Sequence, residues 1–382
     1  MASKIKHLWV ALRTMTQQKT VLVAPLNWGL GHATRMVPVI ELLLQKGGRV
    51  LLAADKRPYD FLKYRFPDCE IIRLPGYEPY YPEKGSMAFN MLLTFPHMLT
   101  KARKAKKLLK EIINRHGIDL IISDNRYELS SNETYCVFIT HQLSVQTFGW
   151  QRLFQPLITR LIYRHIKKFD ELWIPDYKDR QRNLSGRLSH IKTFPIENYH
   201  FTGPLSRFNP DDKIKVNEET GLLVILSGPE PQRTVFEQLI TKQLLQSKIK
   251  ATVLQGKPGE YKTRNKKNIT CISHADDRQM ATLIKSAEIV LSRPGYSTIM
   301  DLSVFGKKAI FVPTPGQTEQ LYLAREVKKR GYCYFEEQAS FNMVRAIEMS
   351  KKYAGLPQLT KNKKLDDLVG KLLSRIQDTP SE

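Results

Sequence analysis

The chain has 382 residues, 42% of them hydrophobic, and a formal net charge of +23. The length suits two domains, and the hydrophobic content excludes a disordered chain. The charge favours a polyanionic partner, and Cys69, Cys136, Cys271 and Cys333 lie too far apart for a metal-type pair or a disulfide framework, which fits a reduced, cytosolic chain.

The first apolar run, within residues 4–13, is too short for a signal peptide, and no stretch is long and apolar enough to span a bilayer. A strand is expected at 20–24. It feeds a turn through Asn27, Trp28, Gly29, Leu30, Gly31, His32 and Arg35 into a helix with apolar residues at Met36, Val37, Val39, Ile40 and Leu43. Gly29 and Gly31 allow a tight strand-to-helix turn and close approach of a ligand. Further strands are expected at 49–53, 69–73, 119–123, 135–139 and 171–174. Each is short and nearly continuous in apolar residues, the pattern of a parallel sheet covered on both faces. Asp124, Asn125, His141 and Gln142 then stand at carboxyl ends of strands, where an open α/β sheet places its ligands. Turn-forming and helix-capping roles explain those residues equally well.

Two segments are both apolar and basic. Residues 87–99 carry Met87, Phe89, Met91, Leu92, Phe95 and Met98, followed by Lys101, Arg103, Lys104, Lys106, Lys107 and Lys110. Residues 150–168 place Trp150, Leu153, Phe154, Leu157, Ile158, Leu161 and Ile162 at helical spacing, among Arg152, Arg160, Arg164, Lys167 and Lys168. An anionic membrane surface suits such segments, and so does core packing beneath a solvated basic face. Nucleic acid is disfavoured, because zinc-knuckle spacing and an aromatic RNA-binding signature are both missing.

A linker is expected around 209–213, and the strand pattern restarts at 221–226, 251–254, 268–271, 288–291 and 309–312. The turn after 221–226 holds Ser227, Gly228, Pro229, Glu230, Pro231, Gln232 and Arg233. It could offer hydroxyl, N–H and cationic groups to a pyrophosphate, although its two prolines remove N–H donors. His274, Asp276 and Asp277 follow another strand, where helix capping explains the aspartates equally well.

The densest signal is the run from Ser292 through Arg293, Gly295, Ser297 and Thr298 to Asp301, with Pro313, Gly316 and Gln320 after the next strand. A strand stops at a Gly/Pro turn and a helix opens with free N–H groups, which attract phosphate. A carboxylate one turn in can hold a ribose diol. The pattern reads as a nucleotide-sugar pocket.

This run resembles the donor-site signature of glycosyltransferase family 28, which includes the N-acetylglucosaminyltransferase that forms lipid II and the diacylglycerol glycosyltransferases. Arg293, Gly295, Thr298, Asp301, Pro313 and Gln320 fall in its register. Pro294 stands where the family has Ser or Ala, Asp301 where it has Glu, and Leu321 where it often has a second Gln. The loop Gly29–Leu30–Gly31–His32 is similar to the family's N-terminal Gly-rich loop.

The resemblance implies a GT-B fold: two doubly wound Rossmann-like α/β domains facing across a cleft. The acceptor domain would span 18–208 and the donor domain 218–356, with a terminal helix, 357–378, packing back on the first. It implies a hexosyltransferase that uses a nucleotide sugar, UDP-linked by resemblance, as co-substrate, with no other cofactor. The donor would lie against Ser227, Gly228, Arg233, Arg293, Gly295, Ser297, Thr298, Asp301 and Gln320. The acceptor would lie against Gly29, Gly31, Arg35, His141 and Gln142.

Inverting transfer needs a base for the acceptor hydroxyl, and imidazole suits neutral pH. His32 is the expected base, with Asp124 as the alternative or as its orienter. No Asp-x-Asp loop is placed to hold a metal–diphosphate, so no metal is expected, and helix N-termini with basic side chains would meet the leaving group. A lipid-linked acceptor would place the protein at the inner face of the cytoplasmic membrane. Two other readings are open: a UDP-sugar 2-epimerase of the same architecture, and a basic non-catalytic protein binding membrane or nucleic acid.

Overall fold

The computed structural model describes residues 18–76, 87–146, 153–216, 220–257, 262–361 and 363–377, with backbone alone for 87–99 and 377. Residues 4–13, Trp150 and Arg152 lie outside the described residues, as do the side chains of the apolar run 87–99.

The first half builds one sheet from β1 (Thr20–Pro25), β2 (Arg49–Ala54), β3 (Glu70–Arg73), β4 (Leu120–Asp124), β5 (Tyr135–Ile139), β6 (Glu171–Ile174) and β7 (Tyr199–Phe201). Its order is β3-β2-β1-β4-β5-β6-β7, parallel throughout. Val21, Leu22, Val23, Ile121 and Ile122 are wholly buried, because helices cover both faces. Those helices are α1 (Gly31–Gln45), α2 (Lys56–Arg65), α3 (Met87–His116) and α4 (Gln155–Ile166).

The second half repeats the plan with β8 (Thr220–Ile225), α5 (Gln232–Leu245), β9 (Ala251–Leu254), β10 (Thr263–Lys266), β11 (Ile269–Ile272), α6 (Asp277–Ser286), β12 (Ala287–Ser292), α7 (Tyr296–Val304), β13 (Lys308–Phe311), α8 (Thr318–Lys329), β14 (Tyr334–Phe335) and α9 (Met343–Ser350). The order is β10-β11-β9-β8-β12-β13-β14, with β10 antiparallel to β11 and the other pairs parallel. Asp276 caps α6 through Gln279 N at 2.7 Å, the structural role that its position allowed.

Strand order reverses between β1 and β4 in one sheet, and between β8 and β12 in the other. Pro25 pairs with Asp124, and Ile225 with Ser292. The loops leaving each pair therefore open side by side, and such crevices are where open α/β sheets bind ligands. After α9 the chain returns to the first half as α10 (Lys363–Gln377). There Lys46 pairs with Asp366 at 3.2 Å, and Arg375 reaches the Tyr135 hydroxyl at 2.6 Å and Glu171 at 2.9 Å.

Three strands differ from expectation. The last strand expected before the linker was 171–174, yet Tyr199–Phe201 adds an edge strand to β6. β10 is exposed along its whole length, and β14 has two residues. None of the three carries the long apolar run that marks a buried strand. Among the described residues no helix is long and apolar enough to cross a membrane.

Candidate functional site

The two switch points face each other, and side chains close the gap. His32 begins α1 one residue past Gly31, and its Nδ1 donates to Asp124 Oδ2 at 2.9 Å. A carboxylate only accepts, so the proton sits on Nδ1, and Nε2 carries the lone pair. Arg35, one turn further along α1, donates from Nε to both Asp124 oxygens at 3.0 Å and contacts Oδ1 again through Nη2. Arg35 and Asp124 are buried, whereas the His32 side chain keeps 16% exposure, which leaves it reachable from the cleft.

Charge in this dry setting is held by neighbours. Burial pushes the His32 pKa down and the Arg35 charge adds to that, against the pull of Asp124, so His32 stays neutral more readily than a free imidazole. Burial alone would raise Asp124, but Arg35 and His32 outweigh it and hold the carboxylate ionised.

The array continues across the seam. Arg35 Nη1 lies 3.2 Å from His141 Nδ1, and His141 Nε2 lies 2.7 Å from Glu319 Oε1 of α8. Gln142 donates from Nε2 to the other Glu319 oxygen. The Tyr296 ring stacks on His141 with centroids 4.2 Å apart, and its hydroxyl donates to Pro175 O at 2.7 Å. Ser297 Oγ donates to Gly31 O at 2.7 Å, and a Cβ at Gly31 would come within 3.2 Å of that hydroxyl oxygen. A side chain at position 31 would press on the Ser297 hydroxyl, while Gly29 turns the chain with a φ of 71°. Arg57 reaches Gly256 O at 2.8 Å, and Arg65 meets Asp277 at 2.8 Å, so the cleft is closed along several points. Another opening of about 350 Å³ lies along the same seam, lined by residues that include Arg187, Tyr322, Lys329 and Arg330, and His32 is not among them.

The second half departs from simple expectation. Arg293 is buried, and its guanidinium donates to Val312 O at 2.9 Å, Pro313 O at 3.0 Å and Gln338 Oε1 at 2.6 Å, over the Phe236 ring at 3.9 Å. Burial pushes its pKa down to about 9. Its side chain braces two strand ends. Arg233 is likewise engaged within its own turn, by Glu230, Glu237 at 2.8 Å and Thr234 Oγ1 at 2.8 Å. Gln320 Oε1 accepts from Thr314 N at 2.8 Å, which shapes the loop before α8.

Asp301 is buried, bonded to Ser206 Oγ at 2.7 Å and 3.3 Å from Arg207 Nε, with burial raising its pKa. A ribose diol there would replace Ser206 as the donor to the carboxylate. What remains open is mostly backbone. α7 starts after Gly295 with no side-chain cap, so N–H groups near Ser297 and Thr298 are free for an anion. Ser227 is half-buried, and Gly228 has φ 106° with open space where a Cβ would stand.

Glu319 and Tyr296 belong to the array but were not among the expected site residues. The available signal was an acidic residue in the first turn of a helix that follows a strand end, a pattern that also arises from helix-dipole preference alone. Among the described residues no three His, Cys, Asp or Glu side chains gather as a metal site.

Residues 229–364 match the glycosyltransferase family 28 C-terminal domain. The chain is 30% identical over 122 residues to a Sulfurihydrogenibium UDP-N-acetylglucosamine--N-acetylmuramyl-(pentapeptide) pyrophosphoryl-undecaprenol N-acetylglucosamine transferase, a match spanning 31% of this chain and 34% of that enzyme. It is 23% identical over 323 residues to an uncharacterised glycosyltransferase of Methanosarcina mazei, covering 80% of this chain and 82% of that one. Among solved structures, the glycotransferase of kitacinnamycin superposes with a TM-score of 0.62 at 14% identity, over 94% of this chain and 99% of that chain. Acinetobacter baumannii MurG gives 0.53 at 13% identity, over 92% and 99%. The fold is therefore GT-B.

Proposed function

We propose that this chain, a family 28-like glycosyltransferase that takes its sugar from a nucleotide sugar, moves a hexosyl group from a UDP-linked donor to the hydroxyl of a lipid-linked acceptor, with inversion and without a metal. The His32–Asp124 pair carries the reading. Asp124 fixes the Nδ1–H tautomer, and the His32 Nε2 lone pair makes no hydrogen bond among the described residues. That nitrogen can take the acceptor proton as the hydroxyl attacks the anomeric carbon, and the sugar–phosphate bond breaks as the new bond forms. The leaving diphosphate would meet the uncapped N-terminus of α7 and the turn at Ser227 and Gly228. Arg293 and Arg233 act there through the shape of the loops rather than as direct phosphate ligands.

The UDP preference is supported by the name of the Sulfurihydrogenibium relative, which uses a UDP-sugar and a lipid-linked acceptor. A membrane-facing surface is supported by α4 and the residues before it. Leu153, Phe154, Leu157 and Leu161 are exposed by 81, 50, 58 and 49%, with Arg160, Arg164, Lys167 and Lys168 also exposed. An apolar stripe with basic flanks suits an anionic membrane. In α3, by contrast, Ala105, Leu109 and Ile112 are buried beneath a solvated basic face, so that half of the helix is core packing.

The test is a panel of nucleotide sugars supplied with membrane lipid extract. Transfer from a UDP-sugar to lipid, lost in His32→Ala, supports the reading. Transfer that survives His32→Ala unchanged overturns the base assignment.

A further inference from the structure

We infer that Glu319 is a positioning residue through which the donor domain completes the base on the opposite domain. The inference rests on the reading of His32 as that base. Arg35 Nη1 faces His141 Nδ1 at 3.2 Å. A guanidinium only donates, so this nitrogen must hold a lone pair, and the ring proton belongs on Nε2. Nε2 in turn lies 2.7 Å from Glu319 Oε1, a group that only accepts when ionised. Burial would raise the Glu319 pKa, but the hydrogen bond from His141 and the Arg35 charge outweigh it and hold the carboxylate ionised. Gln142 donates to its second oxygen, and Tyr296 stacks on the imidazole and fixes its plane. The groups around His141 are thus Arg35 from α1, Glu319 from α8 and the Tyr296 ring from α7.

One continuous set of contacts now runs from the donor domain to the base: Glu319, His141, Arg35, Asp124, His32. The three middle side chains are nearly inaccessible, at 4, 1 and 0% exposure. Opening the domains removes Glu319. His141 is then free to adopt the other tautomer, whose Nδ1–H would point donor against donor at Arg35. Arg35 would lose a fixed neighbour and also one of the two carboxylates that balance its charge. Asp124 orients His32 in either state, and the donor domain adds the outer support that holds Arg35, which favours transfer in the closed complex.

The experiment compares Glu319→Ala and Glu319→Gln in the full chain, by steady-state transfer and by ¹⁵N NMR of the histidine rings. The alanine variant should lower kcat about 10- to 100-fold, the usual reach of a supporting contact, with donor KM within about twofold. Glu319→Gln can still accept from His141 Nε2–H, so it should recover most of kcat. With one negative charge gone, its acid limb should lie at lower pH than that of the parent protein. His141 should hold the Nε2–H tautomer in the parent and glutamine forms and become mixed in the alanine form. Unchanged kcat in Glu319→Ala, an unaltered His141 tautomer, or a raised donor KM at constant kcat would each overturn the inference; the last would make Glu319 a donor contact instead. Should His32→Ala itself leave transfer intact, the base reading falls and takes the inference with it, whereas an unaltered His141 tautomer in Glu319→Ala overturns the inference alone.

Discussion

The two halves share a plan and use it differently. In the first half, charged side chains leave the helix and strand ends and point at one another: His32, Arg35 and Asp124 lie within hydrogen-bond reach. In the second half, Arg293 turns inward to brace strand ends, Arg233 is held by Glu237, and the open groups are largely backbone N–H at the start of α7. The same strand-to-helix junction can thus supply chemistry in one domain and a cradle in the other. A phosphate needs only oriented donors, whereas a proton transfer needs a side chain of suitable pKa.

If that division is right, substitutions in the two halves should fail in different ways. His32→Ala should cut kcat about 10²- to 10⁴-fold, the usual worth of a general base, while donor binding followed by calorimetry stays intact. Arg293→Met should act on the fold instead. It leaves the carbonyls of Val312 and Pro313 without their buried donor, so denaturant melts should show a loss of about 3 kcal/mol. A normal melt with lost UDP affinity would move Arg293 to the ligand and break the contrast. Leu157→Glu with Leu161→Glu should weaken binding to anionic vesicles by about tenfold or more, since two exposed apolar side chains no longer insert. Co-sedimentation measures this, and soluble-acceptor turnover should be unaffected. The smallest effect is in pH. His32 is held below the ordinary imidazole range, so the acid limb of kcat/KM should fall below it as well, and a limb above it would argue against His32 as the titrating group.

Much of this was legible in the residues. Continuous apolar runs such as 20–24 and 119–123 become adjacent central strands, and that adjacency brings Gly31, His32 and Asp124 together. Of the four edge strands β3 was legible as the run 69–73, whereas β7, β10 and β14 were not. Thr263–Lys266 is polar and exposed, and its pairing depends on β11 rather than on its own pattern. Side-chain direction was equally hidden. Nothing local tells an arginine after a strand whether to face a ligand or the carbonyls of the next strand. For Arg293 the choice is set by Phe236 and by Val312 and Pro313, which are distant in sequence. Glu319 was hidden for the same reason, because its partners His141 and Gln142 lie in the other domain.

The return of α10 to the first half has a consequence for modularity. The polypeptide passes between the domains twice, once near 209–213 and again between α9 and α10, where Arg375 and Asp366 then anchor it. Any shift of one half against the other therefore has to be accommodated at both crossings. A donor domain exchanged with that of a relative has to be cut at both places. A graft made at the first alone would strip the acceptor sheet of a helix it owns.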